Sequence, residues 1–429
     1  MSPALRIGIA GLGTVGTATL NIIQQQSELL ASRCGRPLKV VAVSMRDTAK
    51  PRPVVLEGIR IESDALALAA ADDIDLLVEL IGGHEGIARE LVERAIASGK
   101  HVVTANKALI AHHGLALALA AEEKNVVLAF EAAVAGGIPI IAALRQGLAA
   151  NNISRVAGIL NGTCNYILTT MAHERREYED VLLEAGQLGY LESDPALDID
   201  GIDAAHKVAV LAALAFGTVP DFAHVHCEGI RRVSLLDLEY AAGFGYAIKL
   251  LGIASWEQGE LAQRVQPCLV PLHSPLAAVD GPFNAVQVEG DAVGRVVFEG
   301  RGAGGGPTGS AVVSDILSIA RGYRFAPFNV PASQLRNVPP ASRTEHRGRY
   351  YLRLSLKDEP GVLAEFTRAF ADQQISVHSI TQRAVIPNHS AQVIVITHET
   401  EESAVARVAA AISKLPISVD SPVVLRIET

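Results

Sequence analysis

Cysteine is scarce: Cys34, Cys164, Cys227 and Cys268 are the only four in 429 residues, far apart and without a C-x-x-C spacing. That argues against a disulfide framework and leads us to expect reduced thiols in a reducing compartment. Net positive charge is also missing. With 37 basic against 46 acidic side chains and a formal charge of -9, the chain offers no clustered basic face for duplex nucleic acid. No apolar run approaches the ~18 residues of a membrane span, and no basic leader or cleavage site precedes the apolar strand that begins near Leu5. We therefore expect a soluble, cytoplasmic protein with neither nucleic-acid nor membrane partners. What is abundant is apolar residue content, 49% against 19% charged, which suits a packed globular chain with disorder confined to short linkers. The length suggests roughly two to four domains.

The grain of the sequence changes twice. From Ala4 to Glu131, β-rich runs (Leu5–Ala10, Lys39–Ser44, Leu76–Ile81, His101–Thr104, Val126–Phe130) alternate with helical ones, the pattern of a parallel sheet covered on both faces. We assign residues 1–131 to a Rossmann-like α/β domain. Residues 132–304 mix strands and helices and read as an α+β catalytic and dimerisation domain. The helical run Ala311–Arg321, in a segment of about 305–325 too short to stand alone, is expected to return to the first domain. A polar, proline-bearing stretch, 327–349, reads as a linker. Residues 350–429 follow the order β-α-β-β-α-β, a ferredoxin-like unit.

Gly11-Leu12-Gly13-Thr14-Val15-Gly16 follows the strand Leu5–Ala10 and enters a helix. In that context the glycines allow a tight turn and close approach to a pyrophosphate, whose charge sits at the helix N-terminus. The second strand ends at Ser44 instead of the acid that grips a ribose 2′-hydroxyl, and Arg46 follows. A hydroxyl with a nearby guanidinium suits the extra phosphate of NADP(H), which we favour over NAD(H), although Asp47 could supply the acid. Ile81-Gly82-Gly83 and Thr104-Ala105-Asn106-Lys107 close two further strands at the carboxyl ends where ligands lie in such sheets. Lys107 is thus placed to touch cofactor or substrate.

The densest chemical pattern is acidic. Glu192, Asp194, Asp198, Asp200 and Asp203 precede Lys207, which opens the apolar run Val208–Phe216. Asp203 and Lys207 are four apart with His206 beside them, so all three share a helical face. A lysine shielded from water suits a proton donor. The plainer alternative makes Asp200 an N-cap and Lys207 a mere ion-pair partner of Asp203. Other groups are discounted. His224-Val225-His226-Cys227 lacks a second ligand pair, His112-His113 reads as a solvated turn, and Cys164 has no paired base.

Taken together, Gly11–Gly16, Gly99–Lys107, Glu131–Pro139, Leu160–Leu168, Gly189–Lys207 and Gly302–Thr308 make the chain resemble homoserine dehydrogenase, in the single-activity form with a C-terminal ACT domain. The resemblance implies NAD(P)-dependent interconversion of L-homoserine and L-aspartate 4-semialdehyde, toward threonine and methionine. It implies Lys207 as proton donor, with Asp203 and Lys107 beside it. Glu192, Asp198, Asp203 and Gly189 become candidate substrate contacts, joined by the Thr163 hydroxyl. Lys107, Gly189 and Gly302 join the cofactor set, and a monovalent cation, usually sodium, is implied on backbone oxygens of Glu131, Val134, Gly136 and Ile138. Asp358-Glu359-Pro360-Gly361 matches the ACT pattern, so threonine is expected as an inhibitory effector, in a homodimer or homotetramer. On that reading, deleting everything after Arg349 should leave an active, threonine-insensitive enzyme. Two alternatives stand beside it: another ACT-bearing NAD(P) oxidoreductase of amino-acid metabolism, and a non-catalytic amino-acid sensor.

Overall fold

Short strands with both faces apolar build the first unit, because crossover helices cover a parallel sheet on either side. In the computed structural model, which describes residues 3–47, 51–191, 194–257, 259–342, 346–386 and 390–428, these are β1 (Leu5–Ala10), β2 (Leu38–Ser44), β3 (Arg60–Glu62), β4 (Leu76–Glu79), β5 (His101–Thr104) and β6 (Leu128–Ala129). They pair in the order β3-β2-β1-β4-β5-β6, all parallel. The order reverses between β2 and β4 around β1, so a crevice opens at the carboxyl end of β1 where a dinucleotide lies in such folds. The helix Gly305–Ala320 comes back across the sequence to this unit. Its Val312, Val313 and Ile316 share one core with Leu20 and Ile23 of the helix Thr14–Gln25.

The middle unit holds β7 (Ile153–Ile159), β8 (His226–Cys227), β9 (Tyr246–Glu257), β10 (Glu260–Pro271), β11 (Phe283–Gly290) and β12 (Gly294–Arg301). Its path is β12-β11-β7-β9-β10, with β8 on β10. Against this sheet lies the helix Ile202–Phe216, in which only Ile202 and Ala215 escape full burial. Beyond Lys207 it is apolar all round, the mark of a helix packed on all sides, here between the sheet and the helix Lys107–Glu123.

The tail contains β13 (Arg347–Lys357), β14 (Val377–Ile386), β15 (Ser390–Thr397), β16 (Thr400–Glu401) and β17 (Val423–Ile427), with helices Val362–Asp372 and Glu402–Ile412. Apart from the two-residue β16, this is the β-α-β-β-α-β order, in a sheet running β17-β13-β15-β14. Its edge is not free. β17 pairs in parallel with β10, Cys268 opposite Arg426 and Leu269 opposite Ile427, so one eleven-stranded sheet runs through both units.

Side chains lock the same junction. Asp237, fully buried, accepts Nε of Arg353 at 2.7 Å and the Tyr351 hydroxyl at 2.8 Å. Arg155 donates to Glu428, and Arg232 to the Pro422 carbonyl at 2.8 Å. The stretch at 327–349 is fastened as well, since its prolines leave neighbouring backbone groups that find partners in the middle unit. Arg336 donates to the Phe216 carbonyl at 2.6 Å, Ala341 N to Leu261 O at 2.9 Å, and Phe328 is fully buried.

Candidate active site

Gly11, at φ +98°, donates its N–H to the Ser44 carbonyl at 3.0 Å. A Cβ at position 16 would stand 2.0 Å from the Gly11 carbonyl oxygen, so only glycine lets the helix start this close to the turn. That helix begins at Gly13 with no side-chain cap, leaving its first-turn amides for an anion. Beside it opens a cleft of about 910 Å³ lined by Gly11, Leu12, Gly13, Thr14, Ser44 and Arg46, with Asp47 also on its wall. Val15 instead packs into the core and Gly16 is buried beneath the turn. Arg52, which the sequence reading passed over, also lines the cleft and donates Nε to the Leu12 carbonyl at 2.8 Å.

The loop after β4, which also lines the cleft, is held by Glu79, a carboxylate with no exposure at the end of that strand. Its Oε1 accepts the backbone N–H groups of Ile81 and Gly82 at 2.7 and 2.9 Å, and its Oε2 the Thr104 hydroxyl at 2.5 Å. Thr104 Oγ1 accepts Asn106 N at 2.9 Å, and Asn106 Nδ2 donates to the Gly83 carbonyl at 2.7 Å. Asn106 Oδ1 caps the helix that opens with Lys107, accepting Leu109 N at 3.0 Å. One acid thus fixes two loops. Its signal was an acid at the end of an apolar strand, where a buried charge must be satisfied.

Of the acidic run, Asp203 reaches Lys207. Its ammonium donates to Asp203 Oδ2 at 2.6 Å and to the Leu160 carbonyl at 2.7 Å, and the side chain is only 11% exposed. Lys107, 30% exposed, pairs with the other carboxylate oxygen at 2.9 Å. Burial by itself would push the Asp203 carboxyl up, but the ammonium groups of Lys207 and Lys107 outweigh it and hold that carboxyl well below the usual range. Asn161 Nδ2 donates to Asp198 Oδ1 at 2.8 Å and to Asp203 Oδ2 at 3.0 Å. Thr163 donates its hydroxyl to the Tyr190 carbonyl at 2.8 Å.

The N-cap of the Lys207 helix is Gly201 at φ +83°, not Asp200, whose carboxylate is taken by Arg231. Gly189, at φ +73°, lies in the exposed turn after the helix Tyr178–Gln187. Glu192 lies outside the described residues.

His206 packs into an aromatic stack, 4.2 Å from the Phe222 ring and 5.4 Å from His112, which stacks in turn on His84 at 4.2 Å. The expected turn at His112-His113 is wrong: both lie inside the helix Lys107–Glu123. Among the described residues no three His, Cys, Asp or Glu side chains converge on a metal position. Burial, with His112 next, lowers the His206 imidazole to about 4, and burial likewise lowers that of His101 to about 4. Both are neutral in the fold. The unfolded chain therefore binds more protons between the ordinary value of 6.5 and about 4, so stability falls through that window as pH drops and the loss is complete below it. We expect the urea midpoint to fall across it, and His101→Gln, which can still accept the Val127 N–H that His101 Nδ1 takes at 2.9 Å, to flatten the fall.

A third group surrounds residues 131–138. The Glu131 carboxylate is consumed by the N–H groups of Ile141 and Ala142 at 2.9 and 2.7 Å, while Glu131 N donates to Asp315 Oδ2 at 2.8 Å. Ala135 and Gly136 both take left-handed backbone, φ +55° and +51°, and a Cβ at 136 would meet the Gly302 carbonyl oxygen at 2.4 Å. Gly302 thus lies against this loop. Ile138 O accepts Ile140 N at 2.8 Å. No donor among the described residues reaches the carbonyls of Val134 and Gly136, although both residues are buried. Orphaned buried carbonyls are what a hard cation satisfies.

The family model "Homoserine dehydrogenase" matches residues 139–317, "Homoserine dehydrogenase, NAD binding domain" residues 11–131, and "ACT domain" residues 350–417. The chain is 42% identical over 98% of its length to a homoserine dehydrogenase of Neisseria gonorrhoeae, also covering 98% of that protein. With one of Pseudomonas aeruginosa it shares 43% identity, at 99% coverage of each. The chain belongs to the homoserine dehydrogenase family. A crystal structure of a homoserine dehydrogenase from Thiobacillus denitrificans superposes with a TM-score of 0.92 at 43% identity, covering 99% of this chain and 98% of that one. The enzyme is an NAD(P)-dependent oxidoreductase acting on a CH–OH group, with a Rossmann-like unit, a mixed-sheet catalytic unit and an ACT domain. Among the described residues no helix is long and apolar enough to cross a membrane.

Proposed function

We propose that this homoserine dehydrogenase interconverts L-homoserine and L-aspartate 4-semialdehyde with Lys207 as the proton-transferring group. The observation that carries this is the Lys207 ammonium, which spends two of its three N–H bonds on Asp203 and Leu160 O. The third is left for a carbonyl oxygen. When bound in the cleft, the nicotinamide supplies the hydride to the aldehyde carbon, or takes it in reverse. Lys207 gives its proton to the oxygen, and Asp203 holds the lysine in aim through its 2.6 Å hydrogen bond. Lys107, more exposed and on the opposite carboxylate oxygen, faces substrate or cofactor. Asp198 and Thr163 are the described candidates for substrate contact, with Gly189 in the adjoining turn and Glu192 expected to join them. Gly302 stays a candidate of the cofactor set. A monovalent cation such as sodium would sit on the carbonyls of Val134 and Gly136, with those of Glu131 and Ile138, and there it would fix the loop.

The dinucleotide we favour is NADP(H). Ser44, Arg46 and Arg52 all line the cleft. In the tail, a pocket of about 340 Å³ lined by Asp358, Glu359, Gly361, Val362 and Gln382 supports threonine as effector, its carboxylate meeting the amides of a helix start. The enzyme is read as a homodimer or homotetramer through its middle unit and ACT pairing, working in the cytoplasm.

One experiment tests cofactor and effector together: reduction of NADP⁺ and of NAD⁺ by L-homoserine, with and without L-threonine. NADP⁺ should show the lower KM, and Arg46→Ala should raise it about tenfold or more, as loss of a hydrogen bond to a charged group does, with the NAD⁺ KM unchanged. Equal KM values in the parent would overturn the preference, and a rate unmoved by threonine would remove the effector. The cut after Arg349 no longer serves this purpose. It would strip β17 from β10 and leave Asp237 without Arg353 and Tyr351.

A further inference from the structure

We infer that Asn161 is a positioning residue for the reaction, its side-chain amide holding Asp198 and Asp203 apart and in register with Lys207. The inference rests on the reading of Lys207 as the proton-transferring group.

The geometry follows from where β7 ends. The chain leaves that strand at Ile159 and starts the helix Gly162–Glu174 two residues beyond Leu160, with Asn161 as N-cap. The cap needs an acceptor, and Asn161 Oδ1 supplies it to Cys164 N at 2.8 Å. That requirement fixes which end of the amide points where, so the NH₂ group must face the opposite side. There it meets one oxygen from each of two carboxylates, at 2.8 and 3.0 Å. All three residues are buried. Two carboxylates that close in a poorly hydrated site repel one another, and a neutral group with two hydrogens satisfies both without adding charge. The preceding residue completes the clamp, because the Leu160 carbonyl takes Lys207 Nζ. One turn of chain therefore anchors the ammonium through its backbone and the lysine's counter-ion through its next side chain.

A plain helix cap accounts for only the Oδ1 contact, and that difference is testable. Asn, Asp and Ser cap helices about equally well, but neither serine nor aspartate carries the two-hydrogen donor. For Asn161→Ser we expect a folded protein with a lowered melting temperature, because two buried carboxylate oxygens lose a donor, unchanged NADPH affinity by fluorescence titration, and a kcat lower by about thirtyfold, from the loss of hydrogen bonds to charged groups. Asn161→Asp, which sets a third carboxylate beside two, should fall further. A folded Asn161→Ser with kcat near the parent value would overturn the inference and leave a cap alone.

Should Asn161→Ser not fold, Asn161→Asp decides, since it keeps an acceptor for Cys164 N and offers no hydrogen to either carboxylate. Its kcat should fall by about thirtyfold or more, and a kcat near the parent value would overturn the proposal. Lys207→Ala measured alongside keeps the two readings separate. Full activity there removes the proton donor itself, whereas an inactive Lys207→Ala with an active Asn161→Ser removes only the positioning.

Discussion

Lys207→Ala is expected to lower kcat by about a thousandfold in either direction, within the usual range for a positioned general acid or base, with NADPH affinity changed little. The fold should survive the change. Asp203 keeps Lys107 on its second oxygen at 2.9 Å and Asn161 at 3.0 Å, so the buried carboxylate is not stranded. The cleft that takes the dinucleotide is built from Gly11 to Thr14, Ser44 and Arg46, none of which touches Lys207. Lys207→Arg should not restore the rate, because a guanidinium holds its protons too tightly and has the wrong shape for a point donor. Steady-state rates with homoserine and with the semialdehyde, together with a fluorescence titration of NADPH, make the check. A variant turning over near the parent rate would take the proton-transfer role from this lysine.

Much of this arrangement was legible before any coordinates. The glycine turn at 11–16 announces itself because a strand runs straight into it, and Asp203 and Lys207 announce themselves because four residues are one helical turn. Contacts that cross the sequence left no such mark. Lys107 meets Asp203 only because the helices Lys107–Glu123 and Ile202–Phe216 pack together, and Asn161 looked like any residue before a helix. Local signals also misled. His112-His113 read as a turn but lies inside an unbroken helix, where a Cβ at Gly114 would stand 2.7 Å from Phe328 Cζ, so this glycine serves helix packing. The carbonyls of Val134 and Gly136 carry no side-chain signature at all. The tail was readable as β-α-β-β-α-β from its periods, yet nothing in a period says that β17 will add to β10. That pairing depends on an edge about 160 residues away in a different unit, where Cys268 meets Arg426, and Asp237 ties β13 to that unit beside it.

Asp237→Ala is accordingly expected to cost about 3–5 kcal/mol, the range for removing one partner of a buried ion pair. The carboxylate makes four contacts: Oδ1 accepts Arg353 Nε and the Tyr351 hydroxyl, and Oδ2 accepts the N–H and hydroxyl of Ser234 at 2.9 and 2.8 Å. Truncation strands the Arg353 guanidinium, whose side chain is 15% exposed, and removes half of the capping box at the helix Leu235–Gly243. Asp237→Asn should cost less, since an amide oxygen still accepts. The decisive variant is double. Because most of the cost comes from leaving one charge without its partner, replacing Asp237 and Arg353 together by leucine should recover a large part of it, as a higher urea midpoint than Asp237→Ala alone. If the double variant were instead the less stable by the sum of both single losses, the pair would contribute no coupling, and the seam between the catalytic and ACT units would rest on the β10–β17 pairing and its apolar neighbours.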